Sequence, residues 1–210
     1  MGAPGAKNTL YQDGIRTPII MRWPKKIQEG LIDEKSIVSA IDIVPTILDA
    51  ARLPSLGAIE GKSIIDVILG KSAQTERKYA YASSNNKSSD SPEWSFPHRA
   101  IIDESYCYIF NSYVVRTDGK KKKASLHDLN GWMDVVNSSL SKSEKLKNKI
   151  DFMIYRTPEE LYDLKEDPGC WNNLAEQAEY AGKIKEYRKK LYKEMKETAD
   201  PELPFFKLDM

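Results

Sequence analysis

The sequence predicts a mixed protein of the α/β to α+β class. A strand-and-helix first third precedes a small antiparallel sheet that a long C-terminal helix covers. Residues 99–103 and 106–110 are β-prone runs on either side of a two-residue turn, which is typical of a hairpin. Residues 178–198 predict the helix, because apolar side chains recur there at spacings of three and four with charged residues between them. These apolar positions are Tyr180, Ile184, Tyr187, Leu191 and Met195.

The first third carries weaker signals. Residues 15–23 follow an Asp-Gly turn and predict a strand, and residues 64–69 predict a short helix that ends at Gly70. Asp42 is a plausible N-cap for a helix over residues 43–52. The predicted buried stripe of that helix is Val44, Ile47, Leu48 and Ala51.

A polar segment over residues 83–92 has no periodicity and predicts a loop at a boundary between two domains, 1–82 and 83–210. Beyond the hairpin, residues 113–117 and 161–164 predict further strands. Residues 125–136 and 144–153 predict short helices.

Composition excludes several classes of protein. The chain has 210 residues, with 40% hydrophobic and 30% charged residues, as in ordinary globular proteins. A net charge of +1 gives no general attraction to nucleic acid. No apolar run approaches the ~18 residues of a membrane helix, and the first five residues lack a signal-peptide pattern. Cys107 and Cys170 form no disulfide framework, so each is interpreted as a buried free thiol.

The residues alone do not indicate a self-contained catalytic site. The two histidines, His98 and His127, are far apart in sequence. There is no G-x-S-x-G elbow, P-loop or dinucleotide fingerprint.

Five segments in register nevertheless resemble the C-terminal part of sulfatases. They are residues 7–18 (KNTLYQDGIRTP), 23–27 (WPKKI), 39–49 (SAIDIVPTILD), 61–65 (GKSII) and 160–175, which contains ELYDL, DP and NLA. Residues 95–99 (SFPHR) and a following helical insertion are similar to the heparan N-sulfatase branch. The resemblance implies that residues 1–82 belong to the large catalytic domain and residues 83–210 to the C-terminal subdomain.

The resemblance also implies a formylglycine nucleophile, made from a Cys/Ser-x-Pro-x-Arg motif, and a calcium or magnesium ion in the intact enzyme. None of the family's metal ligands is expected here, since Met1 and Gly2 align within the Asp-Asn-Gly motif. Residues 95–99 match the bare nucleophile pattern, but Phe96 and His98 replace its small residues and the segment lies downstream of Lys7. We therefore expect the chain alone to have no cofactor and no activity.

Lys7 is the one predicted catalytic residue, because the family's lysine at this position contacts the substrate sulfate. Asn85, Asn86, Lys87 and His98 are the predicted saccharide contacts. The lysines at 120–123 are interpreted as a solvated run, although they could bind a glycosaminoglycan.

Two interpretations remain open. The first is a fragment of a sulfuric-ester or sulfamate hydrolase that acts on sulfated saccharides, with no nucleic-acid or membrane partner. The alternative is a non-catalytic module that binds a saccharide or a partner protein. The family implies an exported, periplasmic or lysosomal location.

Overall fold

The computed structural model describes residues 9–87, 95–116, 144, 148, 151–152 and 155–208. They belong to two compact units, one of Thr17–Ala80 and the other of Tyr81–Met210 together with Met1–Arg16. The two-domain boundary at residue 82 stays a prediction, and the segment around Leu10 belongs to the second unit rather than the first. Within the described residues no helix is long and apolar enough to cross a membrane.

The regular elements alternate between short helices and strands until the last long helix. The helices are α1 (Gln12–Ile15), α2 (Ile43–Ala50), α3 (Ile65–Ile68), α4 (Ser112–Val115) and α5 (Ala181–Glu197). The strands are β1 (Ala80–Lys87), β2 (Ser95–Ile102), β3 (Tyr106–Phe110) and β4 (Glu159–Asp163). Short 3-10 turns occupy Ala40–Asp42, Ala178–Tyr180 and Leu203–Phe205.

In the first unit, helix α2 turns its polar side inward. The buried Asp42 carboxylate accepts hydrogen bonds from the backbone N–H groups of Ser39 and Lys62, at 2.9 and 2.8 Å, and pairs with Arg77. The hydroxyl of Thr46 donates to the carbonyl of Asp42 at 2.6 Å and accepts from the N–H of Ile64 at 3.0 Å. These bonds tie the segment after the helix to its polar side.

The predicted buried stripe of α2 is therefore wrong, although the helix itself is confirmed. Val44 is 49% exposed and Ile47 is 60% exposed, whereas Thr46 is buried. The periodicity locates an apolar face correctly, but hydrogen bonding decides that the opposite face lies inside this unit.

The second unit is built on a four-stranded sheet in the order β1-β2-β3-β4. Strand β3 pairs antiparallel with both β2 and β4, and this register places Ala100 opposite Ile109 and Cys107 opposite Tyr162. Helix α5 buries Ile184, Tyr187, Leu191 and Met195, as the spacing predicts. We call the side of the sheet that α5 covers the helix face and the other side the Tyr11 face.

The Tyr11 face is covered by the segment that contains Leu10 and Tyr11. Leu10 and Tyr11 are buried in one core cluster with Ala100, Cys107 and Ile109. The Tyr11 ring meets the Tyr162 ring edge-on, with 5.8 Å between the centroids. Side chains alternate between the two faces along each strand. Consecutive residues of β2, and likewise of β3, therefore pack on opposite faces of the sheet.

Three predicted elements are wrong. The strand predicted over residues 15–23 is absent: Ile15 ends α1, and residues 16–23 belong to no helix or strand. Residues 83–87 are not loop but the end of β1, whose polar side chains a sheet edge tolerates. Residues 113–115 lie in α4 rather than a strand, since tertiary packing outweighs the β propensity of the two valines. The predicted helix at 125–136 lies outside the described residues.

An ion pair fixes the end of the chain to the helix face. Arg99 is fully buried and meets Asp200 through two hydrogen bonds, Nε to Oδ2 at 2.5 Å and Nη2 to Oδ1 at 2.9 Å. The Tyr81 hydroxyl donates to the same carboxylate. Burial alone would raise the pKa of Asp200, but the hydrogen bonds from Arg99 and Tyr81 outweigh it and lower that pKa.

Candidate functional site

The structure gives different amounts of information on the predicted site residues. Lys7 lies outside the described residues, two positions before Thr9, and so do the lysines at 120–123. Asn86 and Lys87 end strand β1, and their side chains lie outside the described part. Asn85 and His98 are the predicted saccharide contacts whose side chains the structure describes.

Asn85 belongs to the helix face. Its Oδ1 accepts a hydrogen bond from Nη1 of Arg99 at 2.8 Å, beside the contact that the same nitrogen makes with the carbonyl of Ser84. Arg99 binds Asp200 on that face, so the carbonyl end of the Asn85 amide supports the ion pair. The side chain is nevertheless exposed, which leaves its NH₂ group accessible.

His98 belongs to the Tyr11 face, because it alternates with Arg99 along β2. The side chain is only 3% exposed, and Nδ1 lies 2.8 Å from the carbonyl oxygen of Phe96. Burial first, and then the positive charge of Arg156, lower the pKa of His98 to about 3. The ring is therefore neutral near pH 7, with its proton on Nδ1 and a lone pair on Nε2.

The sheet thus separates two residues that the sequence grouped together. Asn85 and His98 occupy neighbouring strands, but their side chains lie on opposite faces. Whether either contacts a saccharide stays a prediction, and one ligand group cannot meet both side chains at once.

His98 lies among other buried polar side chains, which we call the polar cluster. Its members are Tyr11, His98, Asn111, Tyr113, Arg156, Glu160 and Tyr162. Glu160 is its centre: Oε1 accepts from Nδ2 of Asn111 at 2.6 Å, and Oε2 accepts from the hydroxyl of Tyr162 at 2.7 Å. Two such bonds satisfy a carboxylate that water cannot reach.

Arg156 is the positive charge of the polar cluster. Its guanidinium carbon lies 5.0 Å from the centroid of the Tyr11 ring, a cation–π contact in a buried setting. Burial by itself would lower the pKa of Arg156, but the electrostatic effects of Tyr11 and Glu160 outweigh it and raise that pKa. The guanidinium stays charged and is compensated by the Glu160 carboxylate.

Four buried atoms of the polar cluster have no hydrogen-bond partner among the described residues. They are the acceptors His98 Nε2 and Asn111 Oδ1 and the donors Tyr113 OH and Arg156 Nε. Unsatisfied buried polar atoms are costly and uncommon. Their concentration on the Tyr11 face makes this face the best candidate for contact with a polar ligand or with further polypeptide.

Of this cluster, the sequence predicts only His98 as a site residue. Tyr11, Glu160 and Tyr162 lie within the family-like segments, whereas Arg156 precedes β4 in an irregular stretch and gives no pattern of its own. Only the register of β4 against β3 places Glu160 and Tyr162 on the same side as Ile109 and Cys107.

The described residues offer no metal site. No group of three or more His, Cys, Asp or Glu side chains among them could hold an ion. The buried carboxylates Glu160 and Asp200 are engaged by an amide, a tyrosine and an arginine instead. A calcium or magnesium ion therefore does not fit the donor set of this part of the chain.

Comparison with known proteins points to one family. A family model described as "N-sulphoglucosamine sulphohydrolase, C-terminal" matches residues 6–130. An ulvan-active sulfatase of Formosa agariphila is 29% identical over 191 residues, which cover 90% of this chain and 34% of that protein. An N-acetylglucosamine-6-O-sulfatase of Bacteroides thetaiotaomicron is 26% identical over 196 residues, which cover 92% of this chain and 27% of that protein.

Solved structures share the fold. A structure in complex with its substrate, D-glucosamine-2-N,6-O-disulfate, superposes with a TM-score of 0.53 and 25% identity, over 86% of this chain and 28% of that one. A phosphonate monoester hydrolase from Silicibacter pomeroyi gives a TM-score of 0.50 at 13% identity, over 80% of this chain and 27% of that one, and shows the fold alone. The chain spans about a third or less of the length of these relatives.

Proposed function

This chain belongs to the family of sulfatase C-terminal regions described as N-sulphoglucosamine sulphohydrolase, C-terminal, and we propose that it completes a hydrolase of sulfuric esters or sulfamates. The proposed substrates are sulfated saccharides. Relatives are named for activity on ulvan and on N-acetylglucosamine-6-O-sulfate, and a neighbouring structure holds a sulfated glucosamine.

The observation that carries this proposal is the burial of Tyr11 against the sheet. The Tyr11 ring contacts both the Tyr162 ring and the Arg156 guanidinium. Lys7 lies only four residues earlier, so its Cα is within about 14 Å of that of Tyr11 even for an extended chain. The sheet unit therefore limits where the predicted sulfate-contacting lysine can be.

This anchoring gives the C-terminal region a defined part in catalysis. An ammonium group stabilises developing negative charge only if it is already in place when the sulfate bond breaks. A lysine on an untethered segment would pay an entropic cost at each turnover. We infer that the polar cluster holds the Lys7 segment and that Lys7 contacts the sulfate.

His98 fits contact with a saccharide hydroxyl rather than with a sulfate. Its neutral Nε2 is an acceptor, whereas sulfate oxygens are acceptors too and would find no proton there. Replacing His98 by alanine is expected to raise KM for a saccharide sulfate more than for an aryl sulfate, which has no sugar hydroxyl. An equal change in KM for both substrates would contradict this role. Both KM values are measured on the folded variant below its thermal midpoint, because removing a buried side chain is expected to lower that midpoint.

The nucleophile and the metal are proposed to come from the catalytic region of the intact enzyme. Formylglycine supplies the nucleophile in the family, and the ion neutralises the sulfate charge when bound. The described residues do not fit that ion, so no part of the proposal places it on this chain. An exported or lysosomal location stays a prediction.

The exposed apolar face of α2 supports a role in a larger enzyme. Val44 and Ile47 stand outward from it, and Ile20 of the same unit is 92% exposed. A group of exposed apolar side chains on one unit is typical of an interaction surface. Since the match to this chain covers only 34% and 27% of the two relatives, we propose that the catalytic region covers this face.

The test compares the chain alone with a reconstituted enzyme. In the reconstituted enzyme, these 210 residues replace the matched segment of the Formosa agariphila ulvan-active sulfatase. We expect the chain alone to show no turnover of a chromogenic aryl sulfate and no tight calcium binding by calorimetry. We expect the reconstituted enzyme to be soluble and to hydrolyse the same compound.

The outcomes separate the proposal from its rivals. Turnover with micromolar calcium binding by the chain alone would contradict it and would restore Ser95 as a nucleophile. A reconstituted enzyme that unfolds cooperatively but stays inactive, while the chain alone binds sulfated saccharides, would favour a non-catalytic binding module. Ile47→Lys should lower the thermal midpoint of the reconstituted enzyme and leave that of the chain alone unchanged.

A further inference from the structure

We propose that Cys107 and Cys170 are a site of disulfide formation, and that the state of this pair is fixed while the chain folds. The sequence treats them as separate buried thiols, 63 positions apart in the numbering of the chain. The fold brings them together on the Tyr11 face. This inference is independent of the proposed hydrolase function.

The two cysteines meet through the register of the sheet. Cys107 lies on β3 opposite Tyr162 of β4. The chain leaving β4 turns back at Asp167, and Cys170 enters the same core cluster as Cys107, together with Leu10 and Tyr11. Both cysteines are fully buried in that one cluster, and Cys170 is the neighbour with the largest effect on the pKa of the Cys107 thiol, which it raises.

The turn that carries Cys170 is well fixed. The N–H of Cys170 donates to the carbonyl of Asp167 at 3.0 Å, and the N–H of Asn172 donates to the Asp167 carboxylate at 2.7 Å. Cys170 has a φ of 53°, a left-handed conformation that a residue with a Cβ seldom adopts. With this backbone conformation, the Cys170 side chain is fully buried in the core cluster that also contains Cys107.

Thiol–disulfide exchange is the chemistry that such a pair supports. The oxidant would be a small disulfide such as glutathione disulfide. One cysteine thiolate attacks it, forming a mixed disulfide and releasing one glutathione thiolate. The second cysteine then attacks the mixed disulfide, which forms the protein disulfide and releases the second glutathione. The protein loses two protons and two electrons, and the oxidant becomes two glutathione thiols.

Burial sets the time at which this exchange occurs. The hydrogen bond with Cys170, and then burial, raise the pKa of the Cys107 thiol well above its ordinary value. Since the thiolate is the attacking species, the folded pair is unreactive. Leu10, whose carbonyl lies 3.8 Å from the Cys107 sulfur, belongs to the segment that closes over the pair. Exchange therefore precedes the docking of that segment.

The test refolds the 210-residue chain from denaturant under two conditions, with a glutathione redox buffer or with excess reductant. Each sample is then unfolded without reductant, treated with iodoacetamide and weighed by mass spectrometry. We expect the chain refolded in the glutathione buffer to be two hydrogen atoms lighter than the reduced chain and to take up no iodoacetamide. The chain refolded under reductant should take up two equivalents of iodoacetamide. The oxidised chain should also have a higher denaturant midpoint, because the bridge closes a loop of roughly 60 residues.

A second experiment tests whether burial protects the folded pair from oxidation. The chain is first folded under reductant, and the reductant is then removed. Exposed to glutathione disulfide in native buffer, this folded chain should stay reduced for at least as long as disulfide formation takes during refolding. Cys170→Ser is the control: it should end as a glutathione adduct or a singly alkylated chain, and never with the internal bridge. If folding of that variant fails, a peptide map of the unsubstituted chain locates the bridge directly.

Two results would overturn the proposal. One is full alkylation of both cysteines after refolding in the glutathione buffer. The other is oxidation only to glutathione adducts or to cross-linked dimers, which would show that the two thiols do not reach bonding geometry.

Discussion

Lys7→Ala in the reconstituted enzyme is expected to lower kcat by on the order of 10²–10³-fold, as loss of a preorganised charge donor does in other enzymes. The ammonium group would meet the sulfate oxygens as charge develops on them. Folding should be unaffected, because a lysine in a cleft contributes little to the core. The measurement is kcat together with the thermal midpoint of the same variant.

Lys7→Arg provides the matched control for charge. It should recover part of the lost turnover, because the family accepts arginine at this position, although a planar guanidinium is not equivalent to an ammonium. Normal turnover in the alanine variant would show that Lys7 is an ordinary surface lysine. Lost turnover accompanied by a collapsed midpoint would show that its role is structural.

Asp200→Ala is expected to destabilise the chain by about 3–5 kcal/mol, the range for removing one partner of a buried ion pair. The variant leaves Arg99 buried and charged, with only the oxygens of Ser84, Asn85 and His98 near Nη1. The measurement is the free energy of unfolding from urea denaturation. Asp66→Ala is the control, because Asp66 pairs with Lys71 at the surface and its loss should cost less than about 1 kcal/mol.

The same ion pair predicts a pH dependence. Because the folded-state pKa of Asp200 lies below its ordinary value of 3.8, the carboxylate contributes stability at pH values above that ordinary value. The contribution is lost as the pH falls through the lower folded-state pKa. The difference in stability between Asp200→Ala and the unsubstituted chain should therefore be constant near neutral pH and shrink in strong acid. A difference that grows on acidification would contradict the assignment.

The sequence predicts those parts of the fold that depend on local periodicity. The spacing of Ile184, Tyr187, Leu191 and Met195 identifies α5 and its buried side, and the hairpin of β2 and β3 follows from its turn. The antiparallel sheet beneath a long helix is confirmed. These elements are long or strongly patterned, so their local preferences agree with the tertiary structure.

Features that depend on contacts distant in sequence escape such reasoning. No local pattern shows that the polar side of α2 faces inward. The reason lies in hydrogen bonds that Asp42 and Thr46 accept from Lys62, Ile64 and Arg77. The strand predicted over residues 15–23 is absent as well, because no strand of the described sheet pairs with that segment.

The candidate site divides in the same way. Resemblance to the family supplies Lys7 and the segments around Tyr11 and Tyr162, because those positions carry recognisable motifs. Only the strand register shows that the Asn85 and His98 side chains lie on different faces. Only the contact with the Tyr11 ring shows that Arg156 belongs to the polar cluster. Alternation along a strand can be predicted once the strand is known, but the sequence predicts a loop over residues 83–92 and therefore assigns the Asn85 side chain to neither face of the sheet.

The central claim is that the sheet unit acts in catalysis by holding Tyr11 and, through it, Lys7. A double-mutant cycle in the reconstituted enzyme tests it, with Tyr11→Leu and Lys7→Ala made singly and together. Tyr187→Leu is the matched control, because Tyr187 is also buried against the sheet, but on the helix face. All variants are compared by kcat and by thermal midpoint.

The account predicts that Tyr11→Leu lowers kcat by about 10-fold or more in the presence of Lys7 and causes no further loss in the Lys7→Ala background. Tyr187→Leu should lower the thermal midpoint by a similar amount and leave kcat unchanged. Equal losses of kcat from Tyr11→Leu in both backgrounds, or a normal kcat in the folded Tyr11→Leu variant, would contradict the claim that the sheet positions Lys7.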